Sequence, residues 1–388
     1  MSVSQTKPKP LSLAFVGGSI ASAVGYSHKV ASQMDHRWQL NAGCFSTRQS
    51  INRETGEKWG ISPERVHRDW QTLLLEERGG VDAIVVLTPT PSHAEIVKAA
   101  LKEGYAVICE KSLATSVKEA LDIQQVLKST QGFLAVTYNY SGYPMLRELR
   151  EKIKAGDLGE ILQIIVEMPQ EGFIRSGVNG ELPKPQTWRL KDGAIPTIYL
   201  DLAVHLHHIN YFLTGKHPVK VVADQDSYGW FNGVVDNVSC MLRYDDGMQS
   251  NMWFSKSALG YRNGLRVRVF GREASAEWVQ TNPEELVLNN ASGRREILDR
   301  GGNVYVAGDK RYERFKVGHP AGFIEAFANL YVDMADSLEV FNKSKTFESN
   351  YVFGCEAALG GAQLLEAIAE SALNEKWCTV RDQRKLND

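Results

Sequence analysis

Residues 81–112, VDAIVVLTPTPSHAEIVKAALKEGYAVICEKS, decide the fold. The run VDAIVVLTP is continuously aliphatic and β-branched, as expected of a strand covered on both faces. A helical pattern follows, entered at a capping Ser92 and closed at Gly104. AVICE (106–110) then reads as a second buried strand. Strand, helix and strand at this spacing form a βαβ crossover between parallel neighbours.

The alternation extends both ways. Upstream, residues 11–16 are an apolar run ended by glycines, 20–34 carry helical periodicity, and 39–45 suggest another strand. Residues 54–59 and 63–77 read as helices. Downstream, SVKEALDIQQVLKST reads as a helix and FLAVTY as a strand. The expectation is an α/β fold whose residues 1–140 form a Rossmann-type, doubly wound parallel sheet. Ligands of such sheets sit beyond the carboxyl ends of the strands. The unusual residues fall there: Gly17, Ser46, Thr88, Glu110 and Asn139.

Residues 141–388 differ in character. A helix is expected over 144–155, then alternating runs such as ILQIIVEM, KVVADQDSYGW, NVSCMLRYDDGMQSNMWFSKS and LRVRVFGREASAEWV. They predict an α+β domain with a large, mostly antiparallel open sheet, closed by helices over 322–340 and 351–373.

The chain has 388 residues, 43% hydrophobic and 23% charged, with 44 basic against 46 acidic side chains. A near-neutral balance offers no field for nucleic acid or an anionic membrane. No apolar run approaches the ~20 residues of a membrane span. The start, MSVSQTKPKP, lacks the apolar stretch of a signal peptide and reads as a disordered lead-in. Five scattered cysteines, Cys44, Cys109, Cys240, Cys355 and Cys378, suit buried thiols in a reducing, cytoplasmic setting.

The loop Gly17-Gly18-Ser19-Ile20-Ala21-Ser22 follows the first strand. Against the dinucleotide template G-x-G-x-x-G, aligned on Gly17, it offers Gly, Ser and Ser. A structural strand-to-helix junction is the competing reading. The second strand ends in Cys44-Phe45-Ser46-Thr47-Arg48, without the acid that usually accepts ribose hydroxyls in NAD enzymes. Ser46 and Arg48 suit a 2′-phosphate, which tilts the cofactor from NAD toward NADP. A solvated Arg48 at a helix start is the alternative.

Residues 87–116 resemble the Gfo/Idh/MocA oxidoreductases, whose pattern is Thr-Pro-x-x-x-His at one strand end and Glu-Lys-Pro at the next. Here these are Thr88-Pro89-Thr90-Pro91-Ser92-His93 and Glu110-Lys111-Ser112. Ser112 replaces a proline that commonly follows a cis peptide, which leaves the geometry of the Lys111–Ser112 bond open. VTYNYSGYPMLRELREKIKAGDLGEI, TWRL, DLAVHLHHI and GHPAGFIEAFANLY extend the resemblance. It implies NAD or NADP held by Gly17, Gly18, Ser19, Ile20, Ser46, Arg48, Thr88, Pro89, Thr90, His93, Glu110 and Lys111. It also implies a homo-dimer or homo-tetramer formed through the open sheet face.

In DLAVHLHHI, Asp201, His205 and His208 share one face if the segment is helical. The family carries Asp-x-Gly-x-His-x-x-Asp here; Ala203 and His208 depart from it. The resemblance implies catalysis by Lys111, Asp201 and His205 on a polyol or sugar hydroxyl. Histidine suits proton transfer at neutral pH, aspartate orients it, and an ammonium stabilises a developing alkoxide. Asn139, Tyr140, Trp188, His208 and His319 are candidates to line the substrate pocket; packed core or surface roles compete. Asp201, His205 and His208 could instead form a metal face, the mark of a metal-dependent sugar isomerase or hydrolase. A third reading is a dinucleotide-binding sensor without turnover. The oxidoreductase reading expects no metal.

Overall fold

The computed structural model describes residues 9–381. The chain divides into two compact units. The first contains residues 9–113, Leu121–Gly142 and Phe323–Cys355. Its elements begin β1 (Leu11–Gly17), α1 (Ala23–Met34), β2 (Trp38–Cys44), α2 (Gln49–Trp59) and α3 (Trp70–Glu76). They continue β3 (Ala83–Leu87), α4 (His93–Lys102), β4 (Ala106–Glu110), α5 (Val117–Thr130, from Leu121 on) and β5 (Leu134–Thr137).

The five strands are parallel, in the order β2-β1-β3-β4-β5. The winding reverses between β1 and β3, the point outside which open α/β sheets bind ligands. All five residues of β3 are buried, as the unbroken aliphatic run requires. Leu13, Phe15, Val85, Ile108 and Ala135 form the core with Tyr331 and Met334 of the helix Phe323–Ser344. The Asn329 amide donates to the Gly142 carbonyl at 2.8 Å. A Cβ on Gly142 would lie 2.0 Å from the Ala326 carbonyl oxygen, so only glycine allows this approach.

The second unit begins with α6 (Pro144–Ala155), β6 (Ile161–Pro169) and α7 (Val204–Thr214). Next come β7 (Lys220–Asp226), β8 (Asn237–Arg243), β9 (Gln249–Ser255) and β10 (Arg266–Gly271). After these lie β11 (Ala274–Val279), β12 (Asn282–Asn290) and β13 (Arg295–Leu298). With the short strand Cys378–Thr379 they form, among the described residues, a nine-stranded sheet. Its order is β13-β12-β11-β10-β6-β9-β8-β7, ending on Cys378–Thr379. Only the β6–β9 pair is parallel. Alternate residues such as Val166, Leu242, Phe254 and Val269 are buried, and those between them are partly exposed. One covered face and one open face follow from that period of two.

Several elements depart from the sequence reading. The long helix expected over 63–77 is a 3₁₀ turn at Pro63–Arg65, a bridge from Val66 to Gly43, and then α3. Asp69, not an earlier residue, caps α3 by accepting from the Thr72 amide at 2.7 Å. Ser92 does not cap α4: its hydroxyl lies 2.8 Å from Thr88 Oγ1 and 2.9 Å from the Pro89 carbonyl. The segment expected near 322–340 belongs with the nucleotide-type unit, because Tyr331 and its neighbours complete that core. Most of the expected N-terminal lead-in lies outside the described residues. Among the described residues, no helix is long and apolar enough to cross a membrane.

Candidate active site

In the first unit, β1 runs straight into Gly17 and Gly18, with φ of 84° and 72°. A Cβ on Gly17 would lie 2.9 Å from the Leu87 carbonyl and the Thr88 amide, so the turn packs on the tip of β3. The glycine that lets helix and loop meet is Gly25, which the template did not reach. Its Cβ would sit 1.8 Å from the Gly18 carbonyl oxygen. Ser22 caps α1 by accepting from the Gly25 amide at 3.3 Å. Ser19 Oγ accepts from Ala21, and the Ile20 amide donates to Thr55 Oγ1.

At the end of β2, the Phe45 amide donates to Asn52 Oδ1 at 2.7 Å and fixes the turn. Ser46 accepts from the Arg48 amide, and the exposed Arg48 precedes the N-terminus of α2.

His93 ties the next two strand ends together. Its Nε2 is 2.6 Å from the Thr88 carbonyl and its Nδ1 is 2.7 Å from the Ser112 carbonyl. Burial lowers its pKa below the ordinary value, against the pull of the two carbonyls. The ring is only 1% exposed, and both nitrogens are engaged with the two loop carbonyls. Thr88 and Lys111 are half-buried, Pro89 is exposed, and Thr90 is buried. The Lys111–Ser112 peptide is cis.

Glu110 is held from beneath by His28 of α1, a residue the sequence did not single out. His28 Nε2 lies 2.9 Å from Glu110 Oε1, and its Nδ1 lies 2.7 Å from the Tyr331 hydroxyl. Thr137 also donates to Glu110. Burial alone would raise the Glu110 carboxyl. The His28 hydrogen bond and charge, Lys111 and Thr137 reverse that and hold it at about 2. Beside it, Asn139 stands at the exit of β5 with a buried side-chain amide nitrogen, Nδ2, that has no hydrogen-bond partner among the described residues.

These features fit a dinucleotide. The glycine turn and the capped helix start present backbone N–H groups to an anion. Asn139 adds an orphaned donor near the carboxyl ends of the strands.

In the second unit, Asp201 lies in a single π-helical turn, Tyr199–Ala203, that leads into α7. Such turns re-aim side chains and recur at functional sites. Arg189, from the 3₁₀ turn Thr187–Leu190, and Lys256, just after β9, both donate to Asp201 Oδ2. His205 is buried on α7. His208 is also buried, 6.1 Å from the Phe212 ring, and burial pushes its pKa well down, so it is neutral. Trp188 is half-buried beneath the Arg189 guanidinium at 4.7 Å. Tyr140, in the first unit, is buried, whereas His319 is exposed. Among the described residues, no three His, Cys, Asp or Glu side chains gather as metal ligands.

A parallel sheet with glycines at its switch point and a lysine at a strand tip is the architecture of a dinucleotide-binding class of protein. The oxidoreductase family with an NAD-binding Rossmann fold matches residues 11–138, and the GFO/IDH/MocA C-terminal domain matches residues 146–277. The chain is 31% identical over 375 residues to the uncharacterized oxidoreductase YfiI of Bacillus subtilis, covering 94% of this chain and 95% of that protein. It is 24% identical over 352 residues to levoglucosan dehydrogenase of Pseudarthrobacter phenanthrenivorans, covering 84% and 86%. The crystal structure of an inositol dehydrogenase homolog complexed with NAD+ from Azotobacter vinelandii superposes with a TM-score of 0.88 at 27% identity. That match covers 98% of this chain and 100% of the other. The protein belongs to the Gfo/Idh/MocA oxidoreductases, NAD-binding enzymes.

Proposed function

We propose that the protein oxidises a secondary hydroxyl of a sugar, sugar derivative or inositol to the ketone, or runs the reverse. The single observation carrying this reading is the Thr88-Pro89 and Glu110-Lys111 pair at adjacent strand ends, beside the Gly17-Gly18 turn. The relatives named for levoglucosan and inositol support the substrate class.

A bound nicotinamide supplies a hydride acceptor in one direction and a donor in the other. His205 takes the hydroxyl proton during oxidation and returns it in reduction. Asp201 orients the imidazole and stabilises its cation. Lys111 stabilises the developing alkoxide. Gly17, Gly18, Ser19 and Ile20 hold the pyrophosphate; Thr88, Pro89, Thr90 and Glu110 line the nucleotide's far side, with His93 supporting them. Ser46 and Arg48 favour NADP over NAD. Asn139, Tyr140, Trp188, His208 and His319 shape the substrate pocket. The open sheet face receives a second copy in a homo-dimer or homo-tetramer, and buried thiols suit the cytoplasm.

The test is a panel of inositols, hexoses, uronates and glycosides, offered with NAD and with NADP and read by absorbance of the reduced nicotinamide. Reduction with at least one polyol is expected. Tight cofactor binding with no hydride transfer across the whole panel would remove the enzyme reading.

A further inference from the structure

Asp201 receives two cations on one oxygen, and the more deeply buried of them, Lys256, has no part in the chemistry assigned so far. Lys256 is only 6% exposed and reaches Asp201 across 55 residues of chain. Its backbone is pinned on both sides: the amide donates to the Asp236 carbonyl at 2.7 Å, and the carbonyl accepts from Phe173 at 2.8 Å. Its ammonium sits 4.9 Å from the Phe173 ring centroid. Lysine is rarely buried without a partner, because desolvating an ammonium is costly unless an anion offsets it.

The neighbouring acids are engaged with backbone. Asp192 accepts from the Thr197 and Val235 amides. Asp236 accepts from the Tyr228 and Gly229 amides. Arg189 completes the clamp, its own carbonyl fixed by the Thr197 hydroxyl at 2.8 Å. With Oδ2 held from two sides, the plane of the Asp201 carboxylate is fixed.

We infer that Lys256 is a positioning residue for the reaction: with Arg189 it keeps Asp201 ionised and aimed. The inference rests on the reading of Asp201 and His205 as the reacting pair. Its test is a double-mutant cycle with the active polyol. Lys256→Met is expected to lower kcat about 10- to 100-fold while KM moves by less than about threefold. Lys256→Arg, which keeps the cation, restores most of the rate. In an Asp201→Asn background, adding Lys256→Met costs less than about threefold more, because its target is already gone. Lys256→Gln replaces Lys256→Met if the latter does not fold, and cofactor affinity reports that the nucleotide unit is intact. Full kcat in the Lys256 variant, multiplying losses in the double variant, or no rescue by arginine would each overturn the inference. Full kcat in Asp201→Asn alone would instead overturn the underlying reading of Asp201.

Discussion

His28 on α1 hydrogen-bonds Glu110 at the tip of β4, at 2.9 Å. The helix that follows the glycine turn is thereby tied to the strand end that carries Lys111. The same ring reaches the Tyr331 hydroxyl through Nδ1, so one imidazole bridges the carboxylate and the phenol. Tyr331, His28, Glu110 and Thr137 thus form one buried polar network between α1 and the strand end that carries Lys111. Such a network is rigid when satisfied and costly when broken.

Acid should weaken that network. The Glu110 carboxyl is held at about 2, below its ordinary 4.5. A depressed carboxylate contributes stability above its unfolded pKa and loses it as pH falls through the folded one. Glu110→Gln should therefore destabilise the protein at neutral pH, by on the order of 3 kcal/mol for a broken buried pair. The gap to the unmodified protein should narrow between pH 4.5 and about 2. Thermal melts across that window measure it, and a gap independent of pH refutes the assignment.

Lys111→Ala should lower kcat by about 10²–10³-fold, the scale of losing one preorganised electrostatic group. Cofactor affinity should change little, since the glycine turn and helix start remain. Steady-state rates with a fluorescence titration of reduced cofactor separate the two quantities. Unchanged turnover removes Lys111 from the chemistry.

Gly25→Ala places a methyl 1.8 Å from the Gly18 carbonyl oxygen, where only backbone can give way. A cost of about 3 kcal/mol, the upper end for overpacking, is expected together with weaker cofactor binding. Gly104→Ala is the comparison: φ is 83° and nothing lies within 4 Å of its Cβ. It should cost about 1–2 kcal/mol in left-handed strain and leave cofactor binding alone. Equal effects on binding would separate Gly25 from the nucleotide site.

The parallel sheet was legible because β3 and β4 are nearly unbroken apolar runs and the crossover helix between them has its own periodicity. Thr88, Glu110 and Lys111 were legible because strand tips are fixed by those runs. Gly25 was hidden by the fixed spacing of the glycine template, since this loop is longer than the template allows. His28 sits on an ordinary amphipathic helix, and its partner lies 82 residues away. Lys256 follows β9, an ordinary alternating strand, and only tertiary packing reveals the Asp201 it meets. Pairings over such separations leave no local period to read.

The cysteines should be inert in the native protein. Cys44, Cys109, Cys240, Cys355 and Cys378 are all buried as free thiols. Burial, with Asp69 adding to it, pushes Cys44 up to about 11, and burial pushes Cys240 up to about 12. The thiolate is the reactive form, so alkylation at pH 8 should be far slower than for an exposed cysteine. Mass spectrometry after iodoacetamide treatment, with and without denaturant, checks this. Rapid native labelling at Cys240 would contradict the packing of β8.

On the proposed function, cofactor choice is read at the end of β2. The exposed Arg48 guanidinium, the start of α2 and the Ser46 hydroxyl are the groups that the proposed NADP reading sets against a 2′-phosphate. Charge-assisted hydrogen bonds to a phosphate contribute about 1.5–3 kcal/mol each, so Arg48→Ala should weaken NADP binding by about tenfold or more. NAD, which lacks that phosphate, should bind as before, and the difference should shrink as salt screens the exposed charge. Ser46→Asp should act in the opposite sense, accepting ribose hydroxyls from NAD while repelling NADP. Parallel titrations of both cofactors against the two variants at low and high salt measure the effect. If Arg48→Ala weakens both cofactors equally, Arg48 shapes the turn rather than reading the ribose. If it weakens neither, the arginine is solvated and the choice of cofactor lies elsewhere in the loop.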